Sequence, residues 1–289
     1  MSGTRLLTSI LAAVTLASCA SGTASGPPAT AASATIQPGA IVWRDLATED
    51  VAASRRFYGQ LLGWEFEESE RMGRPYVLAK LGGDYVAGMM QITDQTPDRP
   101  DSQWLSYMSV ADVDVAVAQV ELAGGKVIVG PVTIERTGRV AVVADPQQAP
   151  IGLVRLTAGD PSSPDVPLAG RFFWSEYLAG DAGKALAFYR GLAGYTDEVT
   201  EERAGITYHV LRTGRPRAGL FAIPAAVTTV KPNWLPYVMV ADPTAMAARA
   251  EQLGGTVLLR PNPNARAGTL AIVADSTGAA VALQKWPIN

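Results

Sequence analysis

The chain has 289 residues, with 24 Lys and Arg against 27 Asp and Glu, a net charge of -3 and 48% hydrophobic residues. This balance excludes a strongly basic nucleic-acid binder and a disordered chain, so we expect no nucleic-acid partner. One Cys excludes a disulfide scaffold or a cysteine-based zinc site, and one His restricts imidazole-based metal or general-base chemistry. The length allows one large domain or two of ordinary size.

The first 18 residues have the pattern of a secretory signal peptide. Arg5 precedes an apolar run from Leu6 to Leu16, and small residues follow. The run is too short for a membrane-spanning helix. Residues 1–18 are therefore predicted to be a signal peptide.

The only cysteine follows this segment directly. Leu16-Ala17-Ser18-Cys19 resembles the bacterial lipobox, which implies cleavage before Cys19 and lipidation of its thiol. An ordinary signal peptide with an incidental Cys19 is the alternative. Residues 19–38, rich in Ala, Ser, Thr, Gly and Pro, are predicted to carry the lipid and form a flexible tether. We expect an exported protein, anchored to the bacterial cell envelope through lipid only.

The rest of the chain contains an internal repeat. The segment from Trp43 to Trp64 matches the segment from Trp174 to Tyr195 without a gap, and Trp104-Leu105-Ser106-Tyr107 matches Trp234-Leu235-Pro236-Tyr237. A period of about 130 residues indicates a duplicated domain and not a solenoid. The predicted domains are residues 39–158 and 169–289, joined by a linker at 159–168.

Both copies show the same order of predicted elements. In the first, a strand over 40–47 is followed by a helix over 51–62; Thr48-Glu49-Asp50 supplies its N-cap and early acidic residues, and Gly63 ends it. The further elements of this copy are predicted strands over 64–68, 76–80, 86–92, 105–110, 126–129, 139–144 and 151–156 and a helix over 113–123. Strand-helix-strand-strand-strand therefore occurs twice per copy, which predicts α+β domains with curled mixed sheets.

These motifs resemble the vicinal oxygen chelate superfamily of glyoxalases, bleomycin-resistance proteins and extradiol dioxygenases. The resemblance rests on the run from Trp43 to Trp64 with its Asp50, Phe57-Tyr58 and Leu62-Gly63, and on Val110-Ala111-Asp112, Gly124-Gly125 and Ala144-Asp145-Pro146. It covers about 39–157 and 171–286. It implies two tandem glyoxalase-like domains, each of paired βαβββ modules around a U-shaped cavity.

Active members of that superfamily use a metal held by His and Glu side chains. The resemblance puts the three ligand positions at Trp43, Leu105 and Gly152 in the first copy and at Trp174, Leu235 and Ala282 in the second. None of these side chains binds a divalent cation, and a shift by one residue brings in no metal site. We therefore expect no metal, no other cofactor and no catalytic residue.

Aromatic side chains remain at and beside these positions. Because side chains alternate along a strand, Asp45 should share a face with Trp43, and Tyr107 with Leu105. The candidate ligand-binding residues are Trp43, Asp45, Tyr107, Trp174, Glu176 and Tyr237. Aromatic faces with one carboxylate each favour a flat organic molecule with cationic or hydrogen-bond-donor groups. The alternative is that these aromatics fill a closed core.

Other polar residues have ordinary structural interpretations. His209 is predicted in a strand, partly exposed, and Glu201-Glu202-Arg203 is predicted to form a turn. Asp45 and Glu176 could act as an acid-base pair, although they belong to different copies.

The sequence therefore predicts a metal-free lipoprotein of the glyoxalase/bleomycin-resistance type that binds a small organic molecule. The alternatives are a glyoxalase-like lyase or isomerase, a dioxygenase-type enzyme, and a non-catalytic envelope scaffold. Self-association into a homo-oligomer is also left open.

Overall fold

The computed structural model describes residues 35–93, 101–203 and 206–287. The predicted signal peptide, Cys19 and most of the predicted tether lie outside the described residues. Among the helices within those ranges, none has the length and apolar character needed to cross a membrane.

The first copy forms one eight-stranded mixed sheet. Its elements are β1 (Ile41–Thr48), α1 (Val51–Leu62), β2 (Glu65–Arg71), β3 (Arg74–Leu81), β4 (Asp84–Gln91), β5 (Gln103–Ser109), α2 (Val113–Leu122), β6 (Lys126–Ile134), β7 (Gly138–Ala144) and β8 (Pro150–Leu156). The strand order is β2-β3-β4-β1-β5-β8-β7-β6. Strand β1 runs parallel to β4 and antiparallel to β5, so the two βαβββ modules join through their first strands.

The second copy repeats this arrangement. Its elements are β9 (Phe172–Ala179), α3 (Ala182–Ala193), β10 (Thr196–Arg203), β11 (Ile206–Thr213), β12 (Arg215–Ala222), β13 (Asn233–Met239), α4 (Pro243–Gln252), β14 (Thr256–Leu259), β15 (Leu270–Ala274) and β16 (Ala280–Gln284), with a short 3-10 helix at Arg266–Gly268. The strand order is β10-β11-β12-β9-β13-β16-β15-β14. The predicted α+β fold with two curled mixed sheets is confirmed.

One local prediction is wrong. Glu201 to Arg203 does not form a turn; these residues continue β10, and Glu201 pairs with Tyr208 of β11. Strand β10 lies at the edge of its sheet. Charged residues are common on edge strands because they discourage pairing with other chains.

An aspartate caps the N-terminus of each of the helices α1 to α4. The Asp50 carboxylate accepts from the Ala53 amide at 2.8 Å, and Asp181 accepts from the Lys184 amide at 3.0 Å. Asp112 and Asp242 cap α2 and α4 in the same way. These side chains satisfy amides that have no partner within the helix, which fixes where each helix starts.

The two copies share their hydrophobic cores. One core combines Val113 and Val120 of α2 with Tyr177, Tyr189 and Trp234 of the second copy. The other combines aromatic residues of the first copy with apolar residues of the second, among them Phe57, Tyr58, Trp64, Val238 and Val273. Each sheet therefore buries its helix-bearing face against the other copy.

The opposite face of each sheet carries the predicted ligand-binding residues. Leu46 and Met108 point into the shared cores. Trp43 is three residues before Leu46 on β1, and Tyr107 is one residue before Met108 on β5. Because side chains alternate along a strand, Trp43 and Tyr107 point to the other face, where they belong to a cluster with Val140. We call this face cup 1 in the first copy and cup 2 in the second.

Candidate ligand-binding cups

Two of the three predicted ligand positions in each copy lie in a row of paired residues that crosses three strands of the sheet. In cup 1, Trp43 pairs with Tyr107, and Tyr107 pairs with Gly152. Leu105 lies beside the row, opposite Asp45. The row therefore passes through Tyr107, two residues after the position that the resemblance indicated.

Cup 2 has the same row. Trp174 pairs with Tyr237, which pairs with Ala282. Leu235 lies opposite Glu176, as Leu105 lies opposite Asp45. The structure thus groups the six candidate residues into two sets of three, and Asp45 and Glu176 lie in different cups.

A buried carboxylate is the centre of cup 1. Asp45 is 0% exposed and accepts from the Trp43 indole Nε1 at 2.8 Å and from the Tyr76 hydroxyl at 2.6 Å. The Arg71 guanidinium forms an ion pair with it at 2.6 Å. Arg71 also lies over the Tyr76 and Tyr107 rings, 5.3 and 5.6 Å from their centroids. The charge of Asp45 is therefore neutralised and its oxygens are well supplied with donors.

Glu176 has the corresponding position in cup 2. It accepts from the Tyr208 hydroxyl at 2.7 Å and from the Tyr237 hydroxyl, and it forms an ion pair with Arg266. The Trp174 indole donates to the Tyr208 hydroxyl at 3.1 Å. Both cups therefore contain a buried carboxylate surrounded by a tryptophan, two tyrosines and an arginine.

The two arginines come from different parts of the repeat. Arg71 is the last residue of β2, whereas Arg266 begins the short 3-10 helix between β14 and β15. The arginine of the ion pair therefore comes from the first βαβββ module in cup 1 and from the second βαβββ module in cup 2. Sequence reasoning missed both arginines, although each has an arginine at the matching position of the other copy: Arg203 ends β10 as Arg71 ends β2, and Arg136 precedes Arg266 by 130 residues. Tyr76 and Tyr208 were also missed, although a search for matching tyrosines in the two copies could have found them.

Glycines let the tyrosines reach the carboxylates. A Cβ at Gly88 would overlap the Tyr76 hydroxyl, and a Cβ at Gly219 would overlap the Tyr208 hydroxyl. A Cβ at Gly152 would overlap the Tyr107 ring. The position to which the resemblance assigns an acidic metal ligand is thus covered by an aromatic ring.

The tyrosines and Arg71 are held in fixed protonation states. Burial and then the Asp45 charge raise the pKa of Tyr76 and of Tyr107, and burial and then Glu176 raise the pKa of Tyr237. Burial alone would lower the pKa of Arg71, but Asp45 and the two tyrosines outweigh it and raise the pKa. The tyrosines therefore stay neutral donors, and the arginine stays charged.

Apolar side chains complete each cup. The partly exposed ones in cup 1 are Trp43, Leu105, Val132 and Leu156. Those in cup 2 are Phe173, Trp174, Leu259 and Ile272. The side chain of Arg71 is 16% exposed and that of Arg266 is 20% exposed. A molecule entering a cup would therefore touch an indole, aliphatic groups and the edge of a guanidinium.

The residues present do not fit a metal ion. The rows consist of Trp43, Tyr107 and Gly152 and of Trp174, Tyr237 and Ala282, and the nearby carboxylates are already bound to arginines. Within residues 35–93, 101–203 and 206–287, no three or more His, Cys, Asp or Glu side chains are grouped so that they could hold a metal. Proteins bind divalent metal ions through clusters of such side chains.

His209 lies outside the cups. It follows Tyr208 along β11, so its side chain points to the other face of the sheet. Its Nδ1 lies 2.9 Å from the Asp197 carboxylate, which also pairs with Arg190. The hydrogen bond from Arg190 has the largest effect on the pKa of Asp197 and lowers it. Burial raises this pKa by less, and His209 lowers it further. The histidine belongs to a partly buried hydrogen-bonded cluster with Asp197 and Arg190.

Two curled sheets, each built from two βαβββ modules around a cup, define the class of this protein. Residues 40–153 match the profile described as Glyoxalase/Bleomycin resistance protein/Dioxygenase superfamily. The chain is 32% identical over 245 residues to "Putative glyoxylase CFP32" of Mycobacterium tuberculosis, covering 84% of this chain and 93% of that protein. It is 33% identical over 258 residues to "Anthracycline biosynthesis protein DauV" of Streptomyces sp. (strain C5), covering 84% and 91%. The chain therefore belongs to the glyoxalase/bleomycin resistance/dioxygenase superfamily.

Solved structures show the same fold at low sequence identity. The Mn(II)-bound glyoxalase from Novosphingobium aromaticivorans superposes with a TM-score of 0.59 at 13% identity, covering 86% of this chain and 82% of that one. A mutant of 4-hydroxymandelate synthase from Streptomyces coelicolor gives a TM-score of 0.58 at 13% identity, covering 86% and 93%.

Proposed function

We propose that this protein binds planar organic molecules without a metal, with one molecule in each cup. The observation that carries the proposal is the duplicated cluster of indole, tyrosines, carboxylate and arginine in the row where active relatives hold metal ligands. Partly exposed Trp43 and Trp174 offer flat faces for stacking, and aliphatic side chains surround them. Sites for small molecules are typically apolar with a few placed polar groups.

The electrostatics of the cups define the polar groups that the ligand should carry. Asp45 and Glu176 are already paired with Arg71 and Arg266, so the carboxylates offer little attraction to a cationic ligand. A guanidinium has five N–H donors, and the ion pair with Asp45 occupies only part of those of Arg71. The donors that remain favour carbonyl or hydroxyl oxygens on the rim of a neutral ring system. This differs from the ligand with cationic or hydrogen-bond-donor groups that was expected from sequence, because the arginines were not foreseen.

The names of two relatives suggest a suitable probe. The proteins DauV and DnrV of Streptomyces are named for anthracycline biosynthesis. Anthracyclines contain a planar ring system with carbonyl and hydroxyl oxygens, which is the chemistry that the cups favour. A hydroxyanthraquinone such as alizarin is therefore the probe of choice.

Binding of alizarin tests this proposal directly. We expect two molecules per chain by calorimetry, with quenching of indole fluorescence. Trp43→Ala should weaken binding in cup 1 and Trp174→Ala binding in cup 2, each about fivefold, because stacking contributes about 1 kcal/mol. Val115→Ala is the control, since Val115 lies on α2 away from both cups and is 55% exposed.

Three outcomes would overturn the proposal. Unchanged affinity and stoichiometry in both tryptophan variants would place binding outside the cups. Turnover of a glyoxalase or dioxygenase substrate that depends on added metal would favour the enzyme. If no planar ligand of this class binds, the alternative of a non-catalytic envelope scaffold would be favoured.

We further propose that the protein is exported and anchored through a lipid on Cys19. The lipobox-like sequence before Cys19 and the uncharged segment after it support this proposal. In bacterial cells, we expect Cys19→Ser to move the protein out of the membrane fraction, while Ser25→Ala leaves it there. Membrane association of Cys19→Ser equal to that of the control would contradict lipid anchoring.

A further inference from the structure

A buried arginine lies where the two copies meet. Arg44 of β1 is 7% exposed, and its guanidinium lies 4.7 Å from the centroid of the Phe172 ring. Its Nη2 donates to the Ser175 hydroxyl at 2.9 Å and to the Trp174 carbonyl oxygen at 3.4 Å. All of these partners belong to the second copy and none carries a charge.

The charge of Arg44 has no counter-ion among the described residues. Burial lowers the pKa of Arg44 to about 9, with no opposing contribution from a carboxylate. In cup 1, by contrast, Asp45 raises the pKa of the largely buried Arg71. A buried charge without a partner is costly, because the interior solvates it poorly.

Two hydrogen-bond donors next to this charge also lack protein partners. Within the part of the chain that the structure describes, Arg44 Nε and the fully buried Ser106 Oγ accept or donate no hydrogen bond. Arg44 and Ser106 are directly opposite on the antiparallel strands β1 and β5. Opposite residues share a face with Cβ atoms about 4.5–5.5 Å apart, so both donors lie against one small region.

The second copy cannot supply the missing charge. Its residues at the positions of Arg44 and Ser106 are Ser175 and Pro236, which pair with each other on β9 and β13. Ser175 is already the acceptor for Arg44, and Pro236 carries no polar side chain. The region between the copies therefore contains one positive charge and an additional hydroxyl donor.

We propose that Arg44 and Ser106 bind a small monovalent inorganic anion of the halide class at the interface between the two copies. One positive charge calls for one negative charge, and the burial of Arg44, Ser106 and Ser175 favours a compact ion. The ion would accept from Arg44 Nε and Ser106 Oγ while Arg44 Nη2 holds the second copy. It would thereby stabilise the docking of the two copies, independently of any ligand in the cups.

Thermal unfolding in different salts tests the site. At constant ionic strength, replacing gluconate by chloride or bromide should raise the Tm of the chain, because an ion that binds only the folded state stabilises it. Arg44→Met and Ser106→Ala should lose this halide-specific increase. Arg155→Met, which removes a charge from an exposed strand residue, is the matched control and should retain it.

Anomalous diffraction from a bromide-soaked crystal gives a second readout that does not depend on the variants folding. We expect a bromide peak in hydrogen-bond contact with Arg44 Nε and Ser106 Oγ. A water molecule there with no anomalous signal would overturn the proposal. An equal halide response in the chain and in Ser106→Ala and Arg44→Met would overturn it as well.

Discussion

Replacing Asp45 by Asn is expected to lower the free energy of unfolding by about 3–5 kcal/mol, which is the usual cost of breaking a buried ion pair on one side. The Asn side chain can still accept from the Trp43 indole and the Tyr76 hydroxyl, but it cannot neutralise Arg71. Arg71 would then remain charged among two tyrosine rings with little solvent. Urea unfolding followed by circular dichroism measures the loss.

Two further variants show whether the buried ion pair is the cause. Adding Arg71→Met to Asp45→Asn should recover much of the lost stability, since it removes the charge that has no partner. Glu67→Gln removes a carboxylate that pairs with Lys80 on the surface, and it should have little effect. If Asp45→Asn were no more destabilising than Glu67→Gln, the cluster in cup 1 would not be held together as described.

Gly152→Ala is expected to destabilise the protein by about 1–3 kcal/mol, because the added methyl group would enter the space of the Tyr107 ring. Displacement of Tyr107 should also weaken alizarin binding in cup 1 and leave cup 2 unaffected. Chemical unfolding and calorimetric titration of the same variant measure the two effects.

The second copy provides the matched control, since Ala282 already occupies the equivalent place beside Tyr237. Ala282→Gly should cost only about 0.5–1 kcal/mol, the general effect of a glycine within a strand. Adding Tyr107→Leu to Gly152→Ala should restore part of the stability. Wild-type stability and wild-type binding in Gly152→Ala would show that the Tyr107 ring does not fill this space.

The element order was predictable from sequence because its signals are local. Aspartates before the helices and the glycines after α1 and α3 mark helix ends, and Gly63 and Gly194 adopt the left-handed conformation with φ of 73° and 67°. Strand β6 was predicted to end at Val129 but continues to Ile134 through Pro131. It lies at the sheet edge with register shifts, where a proline is tolerated.

The candidate site was predictable only in part. Alternation along β1 correctly places Asp45 on the face of Trp43, where the two side chains form a hydrogen bond. Arg71 reaches cup 1 from the end of β2, and Arg266 reaches cup 2 from the connection between β14 and β15. The alternation of side chains along a strand does not predict these positions. The position of Arg44 depends on how the two copies dock, so its missing counter-ion was visible only in three dimensions.

The shared cores join the two copies. Residues of α2 pack with α3 and the aromatic residues of the second copy, although the alignment of the copies contains no information on their contact. Both cups lie on the sheet faces that take no part in the shared cores. Ligand binding in the two cups can therefore be measured on a single folded unit.

A crystal structure of the chain with alizarin bound tests the central claim most directly. We predict one planar molecule against the Trp43 indole with its oxygens towards Arg71, and a second against Trp174 with its oxygens towards Arg266. A ligand bound elsewhere, such as in the apolar groove between α2 and α3 near Phe188, would contradict the assignment of the cups. So would a ligand held in a cup by a metal ion.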